Sequence, residues 1–251
     1  MNRATLLAQL RETPIAGRII TALDVPDIAA AEVLNGRLGP QARWVKVGME
    51  LFTAAGPRVV DDLHEAGREI FLDLKYMDIP NTVAGAVRSA CALDIGMLTL
   101  HASGGRRMLE AAVDAAQASP AHGGRRPALL AVTVLTSFTL AELDEVAPGG
   151  GAMSERIVRM ARTAWESGCD GIVCSPADLS AVRAELGAEI LAVTPGVRPA
   201  STTGGDDQRR VATPAEAMAD GADFLVVGRP VTQAANPTAA LAGIVKELNQ
   251  Q

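Results

Sequence analysis

The sequence predicts a (β/α)8 TIM barrel in a single domain. Eight short apolar runs recur along the chain, and a segment of helical spacing follows most of them. Alternation of that kind builds parallel strands joined by right-handed crossovers. The length, 251 residues, suits a barrel of about 250 residues. No G-x-G-x-x-G follows the first run, which argues against an open dinucleotide-binding sheet. With no domain boundary or low-complexity segment, residues 1–251 read as one barrel domain carrying a short N-terminal helical extension (about 1–17).

The elements follow in order. LLAQLRE (6–12) is amphipathic and reads as a helix outside the barrel. RIITALD (18–24) is the first strand and ends in Asp24; Pro26-Asp27 then opens a helix running to about Leu38. RWVKVGME (43–50) is the second strand. Its Lys46 lies inside an apolar run, which is costly unless the charge is paired or meets an anion. EIFLDLK (69–75) is the third strand and DIGMLTLHAS (94–103) the fourth. Gly104-Gly105 marks a tight turn into the helix RMLEAAVDAA. PALLAVTVLTS (127–137) is the fifth strand, and the helical segment 154–168 stops at Gly168. CDGIVCS (169–175), AEILAVTPGVR (188–198) and ADFLVVGRP (222–230) complete the strands, and a last helix covers about 238–249. The long polar loop 199–208 is rich in Gly, Ser and Thr, as suits a flap beside a site.

Composition narrows the function. The net charge is −6 and aromatics make up 3% of residues. That argues against a nucleic-acid partner, which would want basic tracts and stacking rings. No apolar run approaches the roughly 18 residues of a membrane span, and the N-terminus lacks a signal-peptide core. Cys91, Cys169 and Cys174 show no C-x-x-C pairing and sit in apolar segments. They read as core fillers in a reducing, cytoplasmic protein. No His, Cys and Asp cluster has metal-ligand spacing, so no metal is expected.

The chemistry concentrates in FLDLKYMDIPNT (71–82). Residues two apart on a strand share a face, so Asp73 and Lys75 should point the same way. Pro80 should end the strand, Asn81-Thr82 should cap a helix, and Asp78 should sit at the strand's exit within reach of Lys75. Three charges could simply be a surface ion-pair cluster. Packed at the end of an apolar run, they favour another reading: carboxylates flanking a lysine favour its charged form, and a fixed ammonium is a candidate proton donor. Asp24, Lys46, Asp73, Lys75, His101, Thr136, Arg198 and Arg229 all fall at or near the carboxyl ends of predicted strands, the end that builds sites in this architecture. TPGVR (194–198) and VVGR (226–229) each set a glycine close to an arginine after strands seven and eight, where barrels commonly hold phosphate. His101 reads as a packed, hydrogen-bonded residue rather than an acid or base.

DLKYMDIPNT resembles, without a gap, the D-x-K-x-x-D-I-P-N-T signature of the orotidine 5'-phosphate decarboxylase family. Barrel enzymes acting on keto-gulonate or pentulose phosphates share only its D-x-K-x-x-D part. ALD, VKVG, HAS, VTVLTS, TPGVR, DQRRVATP and VVGR look like further blocks of the family in family order. The resemblance implies a cofactor-free decarboxylase making UMP in the last step of pyrimidine nucleotide synthesis. Lys75 would be the proton donor in an array with Asp73, Asp78 and Lys46. Asp24 and Lys46 would hold ribose hydroxyls, and Thr136 the pyrimidine edge. Arg198, Gln208, Gly228 and Arg229 would hold phosphate. Asp78 and Thr82 would enter the other subunit's site in a homodimer. Two rivals remain: a magnesium-dependent sugar-phosphate enzyme of the same barrel group, and a non-catalytic sensor of uridine nucleotides.

Overall fold

The structure, a computed structural model, describes residues 1–119, 125–199 and 212–250. Eight parallel strands close into a barrel in sequence order. They are β1 (Ile19–Ala22), β2 (Trp44–Gly48), β3 (Glu69–Tyr76), β4 (Met97–His101), β5 (Ala128–Val132), β6 (Gly171–Val173), β7 (Leu191–Thr194) and β8 (Phe224–Val227). Each lies inside or overlaps the run assigned to it from sequence, and β8 pairs back onto β1 through Ile20 and Val226. A closed ring of strands has no free edge, so every strand can be short and apolar on both sides.

Two apolar clusters divide the core. Outward-facing strand residues such as Leu72, Leu98 and Leu129 pack under the surrounding helices. Inward-facing ones, among them Ile20, Trp44, Phe71, Met97, Leu130, Val193 and Phe224, fill the barrel. Trp44 and Phe224 meet edge to face with centroids 5.9 Å apart.

The N-terminal helix Arg3–Arg11 belongs to this inner cluster rather than lying outside the barrel. Its Leu6, Leu7 and Leu10 are buried against the barrel filling. Arg3 stacks on Trp165 at 3.6 Å, and Arg11 pairs with Asp223 at 3.3 Å. These contacts lie at the amino ends of β6 and β8, so the helix closes the end of the barrel opposite the strands' carboxyl termini.

Helix starts follow local chemistry. Asp27 caps Ile28–Leu38 by accepting the Ala30 N–H at 2.8 Å. After β3 the expectation is corrected. Helix Pro80–Cys91 has Ile79 at its cap position and Pro80 as its first residue, so Asn81 and Thr82 lie inside the first turn. Proline's fixed φ and missing N–H suit that position, and no side-chain cap is made. The second crossover holds two helices, Met49–Ala55 and Arg58–Glu65, that periodicity did not resolve. No described helix is long and apolar enough to cross a membrane.

Candidate active site

A cavity of about 270 Å³ opens at the carboxyl ends of the strands. Asp24, Lys46, Asp73, Lys75, Thr136, Arg198, Gly228 and Arg229 all line it. Residues spread over two hundred positions of sequence thus share one wall or another of a single chamber. The barrel delivers them there because each follows, or ends, a different strand.

On one side stands a chain of opposite charges. Lys46 Nζ lies 2.8 Å from Asp24 Oδ1 and 3.6 Å from Asp73 Oδ2. Lys75 Nζ donates to both Asp73 oxygens at 2.9 Å. Asp24 is 60% exposed at its side chain while Asp73 is 12% exposed, so the chain runs from solvent into the barrel. Burial pushes the Asp73 carboxyl up. The ammoniums of Lys46 and Lys75 and hydrogen bonds from Lys75 and Thr99 outweigh that, and its pKa falls below the ordinary aspartate value. Gly48 makes room for this arrangement: a Cβ there would stand 2.9 Å from Lys46 Nζ and 3.2 Å from Asp24 Oδ1.

Asp73 and Lys75 do converge, but not by plain strand alternation. The β3–β4 register shifts between Leu72 and Tyr76, and Lys75 has a φ of +51°. The bulge and the left-handed residue swing the lysine back over Asp73.

Asp78 does not reach Lys75 within the chain. It is exposed, its Oδ1 accepts the N–H of Ile79 at 2.6 Å, and no ion pair joins it to Lys75 among the described residues. Thr82 is exposed as well, one helical turn further on. The strand ends at Tyr76, so Asp78 projects outward between Met77, 56% exposed, and Ile79, 68% exposed.

Across the barrel from β3 lies β7. After it come Pro195, Gly196, Val197 and Arg198, and after β8 come Gly228, Arg229 and Pro230, all on the cavity wall. Gly196 has a φ of +81°, a conformation that favours glycine. The Arg198 N–H donates to Ala212 O at 2.9 Å, which fixes the turn. Between the two charged regions the lining is apolar: Val132, Val134, Leu135, Val173 and Cys174. Gln208 and the loop positions 200–208 lie outside the described residues.

His101 is half-buried and accepts the Ser103 N–H at its Nδ1, 3.4 Å away. Burial first, and then the Lys75 charge, lower its pKa. It is absent from the cavity lining, in keeping with a packed residue. All three cysteines are buried. Burial, with Asp170 beside it, pushes the Cys169 thiol up to about 12, an inert group at neutral pH. Cys174 differs from the sequence reading in touching the cavity; nothing in its spacing marked it. Thr99 was missed too. It is fully buried on β4, and its hydroxyl donates to Asp73 Oδ1 at 3.0 Å.

The family model for the orotidine 5'-phosphate decarboxylase / HUMPS family matches residues 17–244. An orotidine 5'-phosphate decarboxylase of Halorhodospira halophila is 52% identical over 231 residues, covering 92% of this chain and 95% of that one. One from Moorella thermoacetica is 49% identical, covering 92% of each. The crystal structure of the orotidine 5'-phosphate decarboxylase from Lactobacillus acidophilus superposes with a TM-score of 0.82 at 40% identity. That match covers 92% of this chain and 98% of the other.

Proposed function

The chain belongs to the orotidine 5'-phosphate decarboxylase / HUMPS family, and from that premise we propose how its cavity works. The reaction is decarboxylation of orotidine 5'-phosphate to uridine 5'-monophosphate and carbon dioxide, the closing step of pyrimidine nucleotide synthesis. Relatives of that name about half identical over nearly the whole chain support it. The observation that carries the mechanism is the run of contacts Asp24–Lys46–Asp73–Lys75 in a chamber also lined by the two glycine–arginine turns.

The bond between the ring and its carboxyl carbon breaks. Carbon dioxide leaves, and the electron pair stays on the ring carbon. No carbonyl is conjugated to take up that charge. The ammonium of Lys75 stands ready to stabilise it, then gives the carbon a proton and is itself reprotonated from solvent. A cation held in place before the reaction needs no reorganisation as charge develops. Asp73 holds that cation and, with Asp24, the neighbouring Lys46 ammonium, and no cofactor takes part.

The remaining walls take the rest of the substrate. Arg198, Arg229 and the backbone of Gly228 grip the phosphate, joined by Gln208. Asp24 and Lys46 take ribose hydroxyls, and Thr136 the pyrimidine edge. Phosphate binding remote from the breaking bond can be spent on assembling the site, so it affects turnover as well as affinity. The protein works as a cytoplasmic homodimer, with Asp78 and Thr82 of each chain completing the other's site. Their exposure on the single chain, beside exposed Met77 and Ile79, supports this.

The test is an absorbance assay with orotidine 5'-phosphate in excess chelator. The wild-type chain should consume substrate at full rate. Lys75→Ala should lose at least about a thousandfold in kcat while still binding uridine 5'-monophosphate. An active Lys75→Ala variant would refute the donor role. Dependence on magnesium would return the sugar-phosphate rival, and nucleotide binding without turnover the sensor.

A further inference from the structure

We propose that Thr99 is a positioning residue for Lys75, and that its hydroxyl sets where the ammonium stands. The inference rests on the reading of Lys75 as proton donor. It starts from an irregularity in the sheet. Between β3 and β4 the partners run Phe71–Met97 and Leu72–Leu98, then jump to Tyr76–Leu100. Four residues of advance on β3 are matched by two on β4. The residues in between leave the ladder, and one of them is Lys75.

A bulge of this kind strands backbone donors. The Lys75 N–H falls in this irregular stretch, and an amide left without a partner beneath a cavity is costly. Lys75 also sits at a φ of +51°, a left-handed region that residues with a Cβ rarely enter. Such a conformation persists where the surroundings over-determine it. One side chain reaches the backbone here. Thr99 lies between Leu98 and Leu100, opposite the gap, and its Oγ1 accepts the Lys75 N–H at 2.8 Å.

The direction of every bond in the loop is forced. A backbone N–H can only donate, so Thr99 Oγ1 is the acceptor there. A carboxylate can only accept, so the Thr99 hydroxyl proton points to Asp73 Oδ1, 3.0 Å away. Asp73 then takes the Lys75 ammonium on both oxygens at 2.9 Å. The ring closes on itself: Lys75 backbone, Thr99 hydroxyl, Asp73 carboxylate, Lys75 ammonium. Both ends of one lysine are fixed through one threonine. Thr99 is fully buried and β4 keeps its regular pairing with β5 through Thr99–Leu130, so the clamp stands on a rigid element. It does not line the cavity, so it has no route to the substrate except through its two partners.

The experiment compares Thr99→Val, Thr99→Ala and Thr99→Ser, with Lys75→Ala alongside. Valine keeps the shape and removes the hydroxyl. Loss of a hydrogen bond pair at a charged site predicts a fall in kcat of about ten- to a hundredfold. Binding of uridine 5'-monophosphate should change by less than about threefold, since no substrate contact is lost. Serine should restore most of kcat. Alanine carries the same expectation if valine fails to fold, and thermal melting of each variant separates misfolding from misplacement. Wild-type kcat in both Thr99→Val and Thr99→Ala, with Lys75→Ala inactive, overturns the positioning role and leaves the donor intact. A kcat loss that serine does not rescue also overturns it. An active Lys75→Ala variant removes the reading beneath it, whatever the Thr99 variants do.

Discussion

Asp73 is the residue on which the electrostatics of the site converge. It is nine-tenths buried, faces two ammoniums, and accepts from Thr99. Burial alone would raise its pKa, and the cations and hydrogen bonds reverse that, leaving it below the ordinary 3.8. The sign for stability follows. Between the folded value and 3.8 the unfolded chain binds more protons than the folded one. The carboxylate's contribution is therefore complete above 3.8 and is lost as pH falls through the folded value. Denaturant melts from neutral pH down to about pH 3 should show the wild-type chain losing stability more steeply than Asp73→Asn. Parallel curves would mean that Asp73 is not held by its neighbours. The identity of these groups was readable from three charges crowded at the end of an apolar run. Their geometry was not. Period-two alternation put Asp73 and Lys75 on one face, and they do meet, but through a bulge and a positive φ that no local pattern announces. Thr99 left no signal at all, because a threonine inside MLTLH is what any strand would carry.

At the scale of elements, the strands were legible and several helices were not. A strand buried on both faces reads as a continuous apolar run, and each of the eight runs contains or overlaps its strand. The short helices Met49–Ala55 and Leu140–Val146 are too brief to establish a period. The N-terminal helix teaches a different lesson. Its amphipathic spacing gave the helix, but not what its apolar face meets. That face is the barrel interior, through Leu6, Leu7 and Leu10. A barrel of eight short strands is open at both ends, and this helix fills the end away from the cavity. Leu6 is fully buried there. Leu6→Ala should therefore cost about 2–5 kcal/mol in unfolding free energy. The kcat/KM should stay at wild-type level, because the charged array stands at the opposite end. Lost activity without lost stability would show that the two ends are coupled.

The whole molecule raises the question of where the array ends. Among the described residues of one chain, Lys75 pairs with one carboxylate, Asp73. The second expected partner, Asp78, projects into solvent beside Met77 and Ile79. Exposed Met49 follows β2, the strand next to β3 in the barrel. Two-fold association through this rim would bury those apolar side chains and carry each Asp78 toward the partner's cavity. A C2 interface uses the same patch twice, so both sites would be completed at once. Spacing alone places Asp78 three residues from Lys75 and takes nearness for contact; within the single chain that contact is not made. The shared-site arrangement has a test that a self-contained site cannot pass. Lys75→Ala and Asp78→Ala are each prepared inactive, then mixed and allowed to exchange subunits. In a mixed dimer one site lacks both groups, while the other has its own Lys75 and the partner's intact aspartate. Random exchange makes half the dimers mixed, so about a quarter of wild-type activity should return. If each site drew both residues from its own chain, mixing would restore nothing, and Asp78 would act within its own barrel.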